Sequence, residues 1–493
     1  MSILIQIDRK SDTPIFRQIV DRLAALADSA AVQPGTRLPS TRSMADMLSV
    51  DRSTVYRAYQ ELWALGYVES RPGSYTTIRS RTRIAKGQER AGSRLIDWEE
   101  RISPNARSLR ASFLEDGVRL KRAAAPDVID FMPLSPDSRL IPSELFRKCM
   151  NDVLCRRGPE LLQYGNPLGY EPLRTFIAGR MREHGISVSA GEIMIASGAQ
   201  NALELLLRML AGPGDSVIVE SPTYSRVIDL LRLSGIRIVD VPMKEDGMDL
   251  DALEERLRRE RPAFIYTMPN FHNPTGITTE QGHRERLLRL CETCRTPLVE
   301  DGFEEELKYF GKAVLPVKSM DRQGVVIYVG TFSKCLFPGL RIGWIAADGA
   351  CIERLAPIQR ALTISGNALD QAAVHGFCRA GYYDLHIKRV HREYRKRMRT
   401  ALDAMKSCLN RKQVRWTQPA GGYTIWLQLL SGRWDEDAVV DLLFRNGVAV
   451  SPGRPHFPGP SEGAHLRVSI AHTDEASIRE GIRRMGATLS EIP

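Results

Sequence analysis

The sequence predicts a multidomain α/β protein, with a small helical head and hairpin ahead of a long run of alternating strands and helices. Three observations carry that prediction. The chain has 493 residues, more than one ordinary folding unit, so two or three are expected. Its periodicity changes character near Arg79 and again near Pro126. Beyond Pro126, short apolar runs ("EIMIA", "DSVIVE", "AFIYT", "PLVED", "VVIYVG") alternate with helical stretches such as "AQNALELLLRML". That alternation is the mark of a mostly parallel sheet covered on both faces.

Composition narrows the class. Hydrophobic residues make up 43% and charged residues 26%, as in a globular protein with material for a large core. The net charge of +10 is compatible with nucleic acid or anionic ligands and proves neither. Of eight cysteines only Cys291 and Cys294 form a C-x-x-C, with no second pair, so reduced thiols are expected and no metal site. The start, "MSILIQIDRK", lacks the pattern of a signal peptide, and no apolar run approaches the ~20 residues that span a bilayer. A cytoplasmic location without membrane attachment is the expectation.

The first unit is read over residues 1–78. Pro14 opens a helix in which Ile15, Ile19, Leu23 and Leu26 recur at helical spacing. Ser40 caps a short helix through Leu48. Ser49 and Val50 form a tight turn. Asp51 or Arg52 opens a second helix, with Val55, Tyr59 and Leu62 facing inward, and Gly66 ends it. "YVESRPGSYTTI" then reads as a two-stranded hairpin turning near Pro72–Gly73. Two short helices, a tight turn and a hairpin make a winged helix-turn-helix, whose second helix enters the major groove of double-stranded DNA. Arg52, Ser53, Thr54 and Arg57 are its candidate reading residues, and Arg37 and Arg42 suit the phosphate backbone. "PGTRLPSTRSMADMLSVDRSTVYRAYQELWALGYV" resembles the GntR-type signature, which implies DNA binding at an operator and so a place at the nucleoid. The wing departs from that pattern, since "RPGSYTTI" lacks the usual glycine-rich tip. Residues 79–125, with "IRSRTRIAKGQERAGSR", read as a basic linker, partly flexible.

From residue 126 to 493 the chemistry is expected at strand ends, where ligands gather in parallel α/β sheets. "VVIYVG" runs into Thr331, Ser333 and Lys334. A lysine partly removed from water there has a lowered pKa, and its free amine can condense with an aldehyde. The obvious aldehyde is pyridoxal 5'-phosphate (PLP), which also needs a phosphate cup, a carboxylate for its ring nitrogen and a donor to its phenolic oxygen. "EIMIA" leads into Ser197, Gly198, Ala199 and Gln200 at a helix start that favours phosphate. "PLVE" ends at Asp301, "AFIYT" leads to Asn273, and "SPTY" brings Tyr224 within stacking reach. The final part, from about His391, reads as a smaller α/β unit with strands near "GGYTIWLQL" and "HLRVSIA".

"YGNPLGYEPLR", "SGAQNAL", "ESPTY", "NFHNPTG", "EDGFEEEL", "TFSKCLFPGLRIGW" and "HLRVSIA" resemble the fold-type I aminotransferases of the aspartate aminotransferase superfamily. The resemblance implies a mostly parallel seven-stranded large-domain sheet with a small α/β C-terminal subdomain. It implies Lys334 as the Schiff-base lysine, Asp301 as pyridinium partner, Asn273 on the phenolic oxygen and Tyr224 stacked on the ring. Gly198, Ala199, Gln200, Thr331, Ser333 and Arg341 would surround the phosphate. Arg467 would bind an effector carboxylate, and Tyr164 would reach the phosphate of a second subunit in a homodimer. Where many relatives have a tyrosine two or three residues past the aspartate, this chain has Phe303 and Glu304. A GntR-type reader fused to such a domain resembles the MocR/GabR regulators. In that family an amino-compound effector displaces the lysine as an external aldimine, and the dimer is domain-swapped. No physiological turnover is then expected beyond residual transaminase half-reactions. Two alternatives stay open: an active aminotransferase tethered to DNA, and a DNA-binding scaffold with a vestigial pocket.

Overall fold

A computed structural model describes residues 5–29, 31–70, 75–79, 96–107, 109, 127–430 and 434–491. The chain divides into two compact units, Met1–Arg101 and Ile102–Pro493. Most of the expected linker and the hairpin turn at Pro72–Gly73 lie outside the described residues.

In the first unit the apolar face of α1 (Ile15–Asp28) buries Ile19, Val20 and Leu23. Helix α2 (Thr41–Leu48) begins where the Ser40 hydroxyl accepts from the Ser43 N–H at 3.1 Å, the N-cap the sequence asks for. Ser49, at φ 51°, turns the chain in the left-handed region. Helix α3 (Arg52–Ala64) follows and buries Val55, Ala58, Tyr59 and Leu62 against α1 and α2. Strands β1 (Val68–Glu69) and β2 (Thr77–Ile78) pair antiparallel, Val68 opposite Ile78, and complete the core.

The second unit is organised by an eight-stranded sheet. After β3 (Ile129–Asp130) come β4 (Ile193–Ala196), β5 (Ser216–Ser221), β6 (Arg237–Lys244), β7 (Gly247–Met248), β8 (Phe264–Thr267), β9 (Leu298–Asp301), β10 (Val326–Thr331) and β11 (Gly343–Ala346). Their order is β4-β11-β10-β9-β8-β5-β6-β7. The run β10-β9-β8-β5-β6 is parallel; β11 is antiparallel to β10 and β4, and β7 to β6. Helix α4 (Ala199–Leu210) follows β4, and α5 (Ser225–Leu233) follows β5. Eight strands stand where seven were expected. The extra one is β7, two residues that fold back on β6 at Gly247, whose φ of 130° suits glycine. The central strands are buried along their whole length, as strands covered on both faces must be.

A smaller antiparallel sheet joins β12 (Val414–Trp416), β13 (Thr424–Leu429), β15 (Ser451–Pro452) and β16 (Ala464–Ser469), while β14 (Val448–Ala449) pairs in parallel with β3. The segment after β3 therefore starts beside the small sheet and runs towards the large one. It is anchored at Asp137, which is 1% exposed. The Asp137 carboxylate accepts from Arg397 at 2.6 Å and from Arg139 at 2.7 Å, and its backbone N–H donates to the Tyr394 hydroxyl at 2.9 Å. Burial opposes its charge, but the two guanidiniums hold it well below the ordinary carboxylate range. Removing one partner of a buried ion pair strands the other charge. Asp137→Ala is expected to lower the stability of the second unit by about 3 kcal/mol, read as an earlier midpoint in urea unfolding.

Candidate functional site

Strand ends place the reactive groups. Three residues past β10, Lys334 leaves the sheet with its Nζ donating to the Leu134 carbonyl at 2.8 Å. Burial pushes its pKa down. Glu304 and Asp301 pull the other way, while Arg467 and Arg341 add to the fall. Asp301 closes β9. Its Oδ2 accepts from the Tyr266 hydroxyl at 2.8 Å, and its buried Oδ1 has no hydrogen-bond partner among the described residues. Burial lifts this carboxyl to about 6, against the hydrogen bond from Tyr266. Asn273, buried beyond β8, accepts on Oδ1 from Arg467 at 3.2 Å. Tyr224 immediately precedes α5, and burial raises its phenol to about 12.

The anion end lies at the start of α4. No side chain caps its first turn, so its leading N–H groups are open to a ligand. Gly198 precedes it at φ 88°, and a Cβ there would come 2.5 Å from the Arg341 guanidinium. That guanidinium donates to the Ser197 carbonyl at 3.0 Å. Thr331 Oγ1 lies 3.0 Å from Ser333 Oγ and accepts from the Ser333 N–H at 3.1 Å. Gln200 donates to the Arg226 carbonyl at 3.1 Å.

One cavity of about 1090 Å³ is lined by Lys334, Asp301, Asn273, Tyr224, Ala199, Gln200, Thr331, Ser333, Arg341 and Arg467 together. Gly198 sits just behind its wall through the Arg341 contact. Tyr164 stands apart, 82% exposed and off the cavity. Phe303 also lines the cavity, so that part of the wall is an apolar ring without a hydroxyl to donate. In the first unit Arg37, Arg42, Arg52 and Ser53 are at least partly exposed, and Thr54 is half-exposed. The Arg57 guanidinium packs 3.8 Å over the Phe16 ring, towards α1, and Arg37 lies 4.4 Å over Tyr75.

Four features escaped sequence reasoning. Tyr56 is 57% exposed, four residues after Arg52 and so on its side of α3; that spacing was the available signal. His456 donates from Nδ1 to the Thr223 carbonyl at 2.9 Å and presents Nε2 to Arg467 at 3.5 Å, with no motif to announce it. Glu304 is fully buried near Lys334, although it begins an acidic run that reads as solvated surface. Finally, three consecutive carbonyls of the segment after β3 accept side-chain hydrogen bonds: Met132 from Arg467 at 3.1 Å and Leu134 from Lys334, both in the site, and Pro133 from Ser469 at 2.5 Å outside it.

These residues fit PLP. The unpartnered Asp301 oxygen needs a donor, which a protonated ring nitrogen supplies. The side-chain-free cradle at Gly198, the open α4 terminus and Arg341 suit a phosphate. Comparison with known proteins points the same way. Residues 137–485 match the family model for aminotransferase class I and II, and residues 16–78 match that of the bacterial regulatory proteins of the gntR family. Aromatic-amino-acid aminotransferase 1 of Thermococcus litoralis is 34% identical, over 82% of this chain and 97% of that protein. The crystal structure of LysN, the α-aminoadipate aminotransferase of Thermus thermophilus complexed with N-(5'-phosphopyridoxyl)-L-leucine, covers 80% of this chain and 98% of its own. It superposes with a TM-score of 0.73 at 32% identity. The probable rhizopine catabolism regulatory protein MocR of Rhizobium meliloti is 30% identical across both domains, over 98% of this chain and 95% of that protein. The chain belongs to the MocR/GabR family.

As a MocR/GabR protein it is a PLP-dependent transcription regulator, with a GntR-type reader and a fold-type I aminotransferase domain. Among the described residues no helix is long and apolar enough to cross a membrane. Gly198→Ala would both strain a left-handed backbone and displace Arg341 from the anion end. PLP titration followed by absorbance is expected to show affinity reduced about tenfold or more, a cost of about 1.4 kcal/mol.

Proposed function

We propose that this regulator responds to an amino compound carrying an acidic group, which takes the place of Lys334 on PLP while Arg467 holds its acid. The observation that carries this reading is the joint opening of a desolvated lysine amine and an arginine fork onto one cavity. Bound PLP supplies an aldehyde carbon for a primary amine and a ring that withdraws electrons. The chain supplies the rest. Asp301 would keep the ring nitrogen charged, Asn273 would donate to the phenolic oxygen and Tyr224 would stack on the ring. Gly198, Ala199, Gln200, Thr331, Ser333 and Arg341 would hold the phosphate. His456, a neutral imidazole whose Nδ1 proton is engaged by Thr223, turns an acceptor towards Arg467 and so fixes the fork. A guanidinium matches a carboxylate bidentately.

For such a ligand to act as a signal, it must prefer one conformation by a few kcal/mol. Arg467 provides such a preference. Its bonds to the Met132 carbonyl, the Ser451 hydroxyl and Asn273 compete with the ligand's acid. On the DNA side, Arg52 and Ser53 read bases, Thr54 and Arg57 support them, and Arg37 and Arg42 hold phosphates. A homodimer, domain-swapped through the linker, would place Tyr164 at the second subunit's phosphate and two readers on paired half-sites. Its high exposure in a single chain supports that role.

The aminotransferase relatives favour a second reading, in which the domain also turns over. Multiple turnovers with an amino donor and a 2-oxo acid would support it; a single half-reaction at most is expected. Arg52→Ala is expected to abolish specific operator binding in a gel-shift titration while PLP absorbance is unchanged. Lys334→Ala is expected to bind operator normally and lose the response to the effector. A response of normal size in that variant would overturn the exchange at Lys334.

A further inference from the structure

Nothing in its packing asks for a hydroxyl on Tyr266. The side chain rises from β8, is 1% exposed, and lies in the apolar core with Val219, Phe264 and Val299. A phenylalanine would fill that volume without a polar atom to bury. The hydroxyl instead donates to Asp301 Oδ2 at 2.8 Å, from β8 to the neighbouring strand β9. It is the one side-chain hydrogen bond that Asp301 receives among the described residues. Asp301 lines the cavity and Tyr266 does not, and Oδ1 is left without a hydrogen-bond partner among the described residues. We propose that Tyr266 is a positioning residue for the cofactor: its hydroxyl holds Asp301 as a carboxylate with Oδ1 turned to the ring nitrogen, so that the proton they share rests on the nitrogen. The inference rests on the role given to Asp301 above.

Burial works against the charge that this role needs. It lifts the Asp301 carboxyl to about 6; the Tyr266 hydroxyl opposes that most, with help from the Phe303 N–H and the Lys334 charge, and Glu220 adds to the rise. Glu304, Tyr224 and Tyr328 lie within reach of its charge, and none of them hydrogen-bonds to it. Tyr266 itself can only donate. Burial, with the Asp301 charge, pushes its phenol far above the ordinary range, so it keeps its proton. A proton between a carboxylate and a pyridine nitrogen settles on the stronger base. The hydrogen bond from the phenol weakens Oδ1 as a base and leaves the proton on the nitrogen. Without it an O–H bond forms at Oδ1 as the N–H bond breaks, and the proton total is unchanged. A hydrogen bond to a charged acceptor shifts such a balance by about tenfold or more.

The place of that proton can be read directly. Cofactor-free protein is loaded with PLP isotopically labelled at its ring nitrogen, and the nitrogen resonance is recorded at neutral pH. The wild-type resonance is expected at the protonated end of its range. Tyr266→Phe keeps a ring in the core and is expected to move the resonance towards the unprotonated end, the ratio of the two forms changing by about tenfold or more. A Tyr266 that merely packs would alter affinity or stability and leave the resonance of the bound cofactor in place. An unmoved resonance in Tyr266→Phe would overturn the inference. An unprotonated resonance already in wild type would overturn the role of Asp301, and this one with it. Should Tyr266→Phe not fold or not load, fluorotyrosine at position 266 decides, because it keeps the hydroxyl. Its fluorine resonance is expected to move when PLP binds, and to move far less with an analogue that carries carbon in place of the ring nitrogen. Equal movement with both would overturn the inference.

Discussion

An amine stays neutral in a protein only where water is withheld from it, and Lys334 is placed for that. The parallel strands deliver it to the end of a sheet buried on both faces, and the segment after β3 closes over it. The same desolvation acts on every neighbour. It lifts Asp301 to about 6, raises Glu304, and lifts the Tyr224 phenol to about 12. A cavity built this way leaves its polar groups short of partners, and a ligand carrying complementary ones satisfies them. The affinity for a charged, ring-shaped cofactor and the lysine's reactivity thus share one cause.

Much of this was legible in the order of residue types. β8, β9 and β10 announce themselves as apolar runs, each followed within a few residues by a polar group too small or too charged for a core. The order of the residues alone therefore puts Asn273, Asp301 and Lys334 at one edge of the sheet. The helix-turn-helix was equally plain, because Ser40, Ser49 and Gly66 each meet a specific backbone demand. β7 was not, since two residues carry no periodicity. Nor was the burial of Glu304, because a charged residue in an acidic run gives no sign of which neighbour turns inward. The contact of the exposed Arg57 guanidinium with Phe16, between α3 and α1, has no signal in the spacing of α3.

Contacts made by the backbone were the hardest to foresee. The carbonyls of Met132 and Leu134 have no side-chain signature, yet they occupy the Arg467 and Lys334 donors that a ligand would need. Asp137, three residues further on, explains how so short a segment stays in place: its ion pairs fix one end while β3 fixes the other.

That segment also sets up a contest. The Lys334 amine has three hydrogens when protonated, and bonding to a cofactor carbon would leave it one at most. Gripping Leu134 and holding a cofactor thus become rival uses of one atom, as gripping Met132 and holding an acid are for Arg467. The stretch from 132 to 134 is part of the cavity wall, and two of its carbonyls hold groups that a ligand would also engage.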